Sequence, residues 1–200
     1  MNQTTTTGHE TTFVGERHGI HLAIQHRTGK TLGKIISQMD SPDLIAGVQV
    51  SAIPVHADDR GFFMELARLG APGIALYLGA KDTTQVQVSM SLAYPGAIKA
   101  IHYHFEQTDL WATVSGMLQV FLCDLRTASK TFGAINTLYV GQMRPWEILI
   151  PPGVGHGYKV LGGQPAQMVY FTNRHYNPSD EGRLPYDHPE IGYDWETQRK

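Results

Sequence analysis

The residues best suited to chemistry sit in one run and one later turn. His102 and His104 flank a single residue in AIKAIHYHF, Asp109 follows, and His156 closes PPGVGH far downstream. Glycines at Gly96 and Gly116 bracket the first group. Imidazole nitrogens and a carboxylate oxygen suit Fe, Mn, Ni or Zn without choosing among them. Without a metal, an imidazole is the side chain best able to take and return a proton near neutral pH. Two readings of these residues therefore stand side by side. In one, His102, His104, Asp109 and His156 hold one divalent metal ion. In the other, they are the hydrogen-bonded polar lining of a barrel mouth.

Both readings need a scaffold that turns the two histidines the same way, and AIKAIHYHF supplies it. Ile101, Tyr103 and Phe105 alternate with Ala100, His102 and His104, so as a strand it projects both imidazoles from one face. Similar stretches recur along the chain: GVQVSAIPV, FFMELAR after a DDRG turn, QVQVSMSLA, the two halves of WATVSGMLQVFLCDLR around Gly116, TLYVGQ, EILI, GYKVL and AQMVYFTN. In QVQVSMSLA the alternation is strict and predicts a half-buried strand with Val86, Val88, Met90 and Leu92 sharing one face. At least eight short strands punctuated by turns predict an all-β sandwich or barrel. DLRTASKTFG lacks the glycines of a phosphate-binding loop and reads as a strand end plus turn. The C-terminal RLPYDHPEIGYDW, rich in Pro and aromatics, predicts an ordered wrapping segment rather than a helix.

Composition sets the outer bounds. Two hundred residues with 42% hydrophobic content fit one compact domain. Sixteen Lys and Arg against 18 Asp and Glu leave a net charge of -2, with no basic field for nucleic acid or an anionic membrane. A lone cysteine, Cys123, forms no internal disulfide and suits a reducing compartment, so the expectation is a cytoplasmic protein. No apolar run approaches the roughly 20 residues needed to span a bilayer. The Thr-rich first dozen residues are too polar to order alone, and residues 1–46 are expected to form a partly disordered extension before a domain at 47–200.

The G-x5-HYH-x4-D-x6-G and PPGVGH pair resembles the two motifs of the cupin superfamily, which implies a jelly-roll barrel. A longer collinear series resembles one family within it. DDRGFFMEL, QVQVSMS, IKAIHYHF, DLRTASKTFG, IPPGVGHGYKVL, VYFTNRHYNPSDEG and DHPEIGYDW occur in the order seen in the dTDP-4-dehydrorhamnose 3,5-epimerase family. That resemblance implies a homodimeric isomerase of activated deoxysugar synthesis, serving polysaccharide assembly and working without metal or organic cofactor. It would act on a nucleotide sugar carrying a 4-keto group. A base removes a hydrogen α to the ketone, the enolate charge is stabilised, and an acid returns a proton from the opposite face.

By the same resemblance His102 takes the place of the base, Asp187 of the carboxylate that orients it, and Tyr170 of the acid. Arg60, Phe63 and Glu65 match residues that hold the nucleotide, Gln87 and Lys99 match residues near the sugar and diphosphate, and His156 matches a substrate contact. Two positions depart from the family. His104 replaces a glutamine, and Asp109 replaces the lysine that stabilises the enolate. A carboxylate at that point would oppose the developing negative charge. The same two changes complete the cupin metal motif, so two further readings accompany the epimerase: a metal-dependent cupin isomerase or dioxygenase, and a sugar-nucleotide binding module without catalysis.

Overall fold

The computed structural model describes residues 10–69, 78–79 and 85–196. Among these the regular elements are fifteen strands. The first six are β1 (Thr11–Arg17), β2 (Ile20–Gln25), β3 (Lys34–Ile35), β4 (Gln49–Ala52), β5 (Val55–Asp58) and β6 (Gly61–Met64). Then come β7 (Gln87–Ala93), β8 (Ile98–His104), β9 (Asp109–Ser115), β10 (Met117–Asp124) and β11 (Ile135–Gly141). β12 (Trp146–Ile150), β13 (Val154–Leu161), β14 (Ala166–Thr172) and β15 (Glu181–Arg183) complete the set. They form a six-stranded sheet in the order β15-β8-β13-β10-β11-β3 and a five-stranded sheet in the order β4-β12-β9-β14-β7, with separate β1–β2 and β5–β6 hairpins. This is the expected all-β jelly roll, and no helix of the described residues is long and apolar enough to cross a membrane.

The alternation along β10 explains how the sheets are held. Leu118, Val120 and Leu122 point between the sheets and meet Ile148, Ile150 and Met168 of the other layer. Phe121 and Cys123 point the opposite way, to the outer face of the six-stranded sheet. That face is apolar and has to be covered. Leu22 and Ile24 of β2 cover part of it, and Ile191, Tyr193 and Trp195 of the C-terminal segment cover the rest. The wrapping segment thus forms as expected, pinned by hydrogen bonds from Tyr193 to Thr137 and from the Trp195 indole to the Tyr186 carbonyl. Burial pushes the Cys123 thiol up to about 12, so it is an inert core residue.

Two expectations change. The segment before residue 47 is built into the barrel from Thr11 onward: β1 and β2 pair, Leu22 is fully buried, and β3 joins the edge of the six-stranded sheet. Composition concealed this because the hairpin's apolar content is modest and acquires meaning only against the exposed back of β10. Residues 1–9 lie outside the described residues. In β7 the alternation is right but its sense is reversed. Val88, Met90 and Leu92 are 50%, 63% and 43% exposed, while Gln87 and Ser91 face the interior. The interior at that point is a polar cavity.

The DLRTASKTFG turn is organised by Asp124, which is fully buried. Its carboxylate accepts from the Arg126 guanidinium at 2.8 and 2.9 Å and from the hydroxyls of Ser129 and Thr131 at 2.6 Å. Burial alone would raise this carboxyl, but the Arg126, Ser129 and Thr131 donors outweigh it and hold it below the usual carboxylate range. A depressed folded value means stability that is present above about pH 3.9 and is lost as pH falls through the lower folded value. Asp124→Asn is expected to cost about 3 kcal/mol at pH 7, or about 6–12 °C in Tm. Thermal melts at pH 7 and near pH 3 check this: the gap between wild type and variant should narrow in acid. A gap that is constant with pH would mean that the charge contributes nothing.

Candidate active site

A cavity of about 340 Å³ opens between the two sheets. The six-stranded sheet contributes Lys99, His102 and His104 of β8, His156 and Tyr158 of β13, and Glu181 and Arg183 of β15. The five-stranded sheet faces them with Asp109 and Trp111 of β9, Tyr170 and Thr172 of β14, and Gln87 of β7. Lys99 and His102 are three residues apart, so a regular strand would send them to opposite faces. The β8–β13 register shifts between His156 and Tyr158, which oppose His102 and Lys99 respectively. This irregularity restores both side chains to the cavity side. Gly157 permits it, since a Cβ there would stand 2.3 Å from the Ala100 Cβ.

His102 Nδ1 lies 3.4 Å from Glu181 Oε1, and among the described residues Nε2 is the nitrogen without a partner. Burial, reinforced by the nearby His156, holds the His102 imidazole below its ordinary range despite Glu181. Its ring is therefore uncharged at neutral pH. Burial would raise the Glu181 carboxyl, yet Arg183 at 2.5 Å and the two histidines keep it below the usual range, and hence ionised. β15 delivers this carboxylate by pairing Glu181 with His104 and Arg183 with His102 on the free edge of β8. Asp180, just before it, is 2% exposed and accepts the backbone N–H groups of Phe105, Glu106 and Gln107, fixing the loop that leads to Asp109.

Deeper in the cavity His104, Asp109 and His156 converge, each at most 6% exposed. His156 Nδ1 donates to the Val154 carbonyl at 2.9 Å, and Asp109 accepts from the Gln107 amide at 2.7 Å and the Trp111 indole at 3.2 Å.

The structure brings His102, Tyr170, Gln87, Lys99 and His156 to one cavity, as expected from the sequence. Others it places elsewhere. Asp187 lines a different hollow, with Lys30, Tyr186 and Trp195, so Glu181 and not Asp187 stands beside His102. The reason is topological: once β15 has paired along β8, the chain leaves for the outer face of the sheet, where Ile191, Tyr193 and Trp195 are buried. Arg60, Phe63 and Glu65 also stay out of the cavity. Arg60 pairs with Asp58 on the exposed β5–β6 hairpin, Phe63 stacks on His56 at 6.2 Å, and Glu65 binds Arg68. His102 is likewise separate from the group that could hold a metal, which comprises His104, Asp109 and His156.

Residues 43–200 match the family model for dTDP-4-dehydrorhamnose 3,5-epimerase. The chain belongs to the dTDP-4-dehydrorhamnose 3,5-epimerase family. Its relatives include the spore coat polysaccharide biosynthesis protein SpsL of Bacillus subtilis strain 168, 46% identical over 157 residues that cover 78% of this chain and 99% of that one. Among solved structures, a dTDP sugar isomerase from Desulfovibrio desulfuricans G20 superposes with a TM-score of 0.67 at 26% identity, covering 76% of this chain and 92% of the other. The 3,5-epimerase RmlC from Legionella pneumophila Philadelphia 1, solved with dTDP-4-keto-L-rhamnose, gives a TM-score of 0.63 at 27% identity, covering 74% and 78%. These likenesses support an isomerase working by proton transfer over a metal-dependent cupin isomerase or dioxygenase. Within this family member, Glu181, Arg183, Gln107 and Trp111 are site residues that sequence reasoning missed. The available signal for β15 was Gly182 between two opposite charges: a Cβ there would stand 2.0 Å from the Tyr103 ring, so close pairing with β8 demands glycine.

Proposed function

We propose that the cavity binds a 4-keto-6-deoxyhexose linked to a nucleoside diphosphate and inverts C3, C5 or both. His102 Nε2 takes the proton from the carbon beside the ketone. The C–H electron pair moves into an enolate whose charge rests on the C4 oxygen, and the Tyr170 hydroxyl returns a proton to the same carbon from the other side. The single observation that supports this most is that His102 and Tyr170 stand on opposite sheets and face one cavity. Inversion requires such opposed groups. Glu181 is read as a positioning residue: it accepts the Nδ1 proton, which orients the ring and favours Nε2 as the basic nitrogen. Lys99, at the cavity mouth and bound to the Ser91 hydroxyl at 2.7 Å, is placed to meet the diphosphate.

A homodimer fits two surface features. Among the described residues β7 is the edge of its sheet, and it exposes Val88, Met90 and Leu92, a row that a second copy could cover. The β5–β6 hairpin carries Arg60 and the exposed Phe62 and Phe63 away from its own cavity, consistent with a nucleotide contact made across such an interface.

Incubation with 4-keto nucleotide sugars in deuterium oxide tests the function. The expected result is deuterium at C3 or C5 by mass spectrometry, with inverted product. Nucleotide affinity with no exchange on any such substrate would sink the epimerase and return the binding-module reading. Glu181→Gln, which keeps the shape but removes the charge, is expected to lower kcat for exchange by about 10–100-fold with little change in KM. A rise in KM alone would mean that Glu181 only shapes the pocket.

A further inference from the structure

We infer that His104, Asp109 and His156 form a site for one divalent transition-metal ion, open toward the cavity and distinct from His102. One ligand atom from each of the three lies within 4.8 Å of the others. The hydrogen-bond pattern indicates what is missing between them. Because His156 Nδ1 faces a carbonyl oxygen, it carries a ring proton, so Nε2 is the nitrogen able to offer a lone pair to an ion. That lone pair faces Asp109 Oδ2 at 3.7 Å. At 3.7 Å the two atoms are too far apart for a hydrogen bond to join them. Two potential ligand atoms thus face each other, unjoined, on the buried floor of the cavity.

His104 adds a third unmet atom. It is 94% buried, given its 6% exposure, and among the described residues its Nδ1 has no partner, while its Nε2 meets the Gln107 amide nitrogen at 3.3 Å. Among the described residues the Asp109 oxygens receive hydrogen bonds from the uncharged Gln107 and Trp111 and from no cation. The cations lining the cavity, Lys99 and Arg183, are held by Ser91 and Glu181. Two imidazoles and one carboxylate are the donor set of an open zinc-type site, where ligand atoms about 2.0–2.2 Å from the ion stand about 3.4 Å apart. The surrounding partners also fit: Val154 orients His156, while Gln107 and Trp111 orient Asp109.

The separation of His102 from this trio removes a conflict. If His102 were a ligand it could not act as the base, whereas here base and ion coexist in one cavity. The role of the ion rests on the proton-transfer reading: its open position would put positive charge beside the keto oxygen as the enolate forms, where Asp109 alone would oppose it.

The test is titration of tag-free, chelator-treated full-length protein with Co2+ and then Zn2+, without sugar nucleotide. One equivalent of Co2+ should bind with the intense visible absorption of a four-coordinate ion and be displaced by Zn2+. Asp109→Asn and His156→Gln should each weaken binding by more than about 100-fold, beyond what loss of an outer partner does. Absence of stoichiometric binding by the wild type, or undiminished binding by both variants, overturns the site. If circular dichroism shows that the variants do not fold, X-ray absorption on the zinc-loaded wild type decides: two imidazoles on the ion support the site, and none or one overturns it. Deuterium exchange without ion binding overturns the metal site and leaves proton transfer standing. Ion binding without exchange does the reverse.

Discussion

His102→Ala is expected to abolish solvent exchange almost completely, lowering the rate of deuterium incorporation by about 10²–10⁴-fold, the usual contribution of a positioned general base. The expectation rests on the state of the ring. Burial and the neighbouring His156 keep His102 neutral at neutral pH, and Glu181 occupies the Nδ1 side, so Nε2 is the nitrogen left to collect a proton. His102 is also 31% exposed in its side chain, which lets a substrate reach it. Because it is partly exposed and carries little of the core, its loss should leave the melting temperature within a few degrees of wild type. Single-turnover exchange measured by mass spectrometry checks the first part and a thermal melt the second. Exchange that survives at more than a tenth of the wild-type rate would move the base elsewhere in the cavity.

Tyr170→Phe should separate the two halves of the reaction. Removal of the hydroxyl leaves His102 able to take a proton and return a deuteron to the same face, so exchange without inversion should persist within about tenfold. Inverted product should fall by about 10²–10⁴-fold, because the hydroxyl that faces His102 from the five-stranded sheet is gone. The measurement is a comparison, in one reaction, of deuterium content with the ratio of epimers. Equal loss of both would mean that Tyr170 assists proton removal, and normal inversion would mean that another group supplies the proton. Tyr170 packs against the apolar core through its ring, which phenylalanine preserves, so a folding defect is not expected to confuse the outcome.

Much of this site was legible before any coordinates. Alternation in AIKAIHYHF turned His102 and His104 to one face, and both line the cavity. Ordered motifs brought Tyr170, Gln87 and Lys99 to the same place, and the odd chemistry of His104 and Asp109 was visible as a departure from a family pattern. Where the reading went astray, it met long-range pairing. The carboxylate at His102 depends on which segment occupies the free edge of β8, and a three-residue strand such as Glu181–Arg183 has too little periodicity to announce itself. The reversed sense of β7 has a similar origin: an alternating strand marks two faces, but which one is interior depends on whether the interior is apolar or polar.

The sequence by itself determined the class of fold, the longer strands of the barrel, the family, and the residue types able to move a proton, because periodicity and motif spacing are local properties of the chain. Only the tertiary structure decided that Glu181 rather than Asp187 stands beside His102, that β1 and β2 close the back of the barrel, and that His102 lies outside the group formed by His104, Asp109 and His156. Those outcomes depend on backbone pairing and burial between segments far apart in the chain, and on a register shift at Gly157 that no alternation pattern encodes.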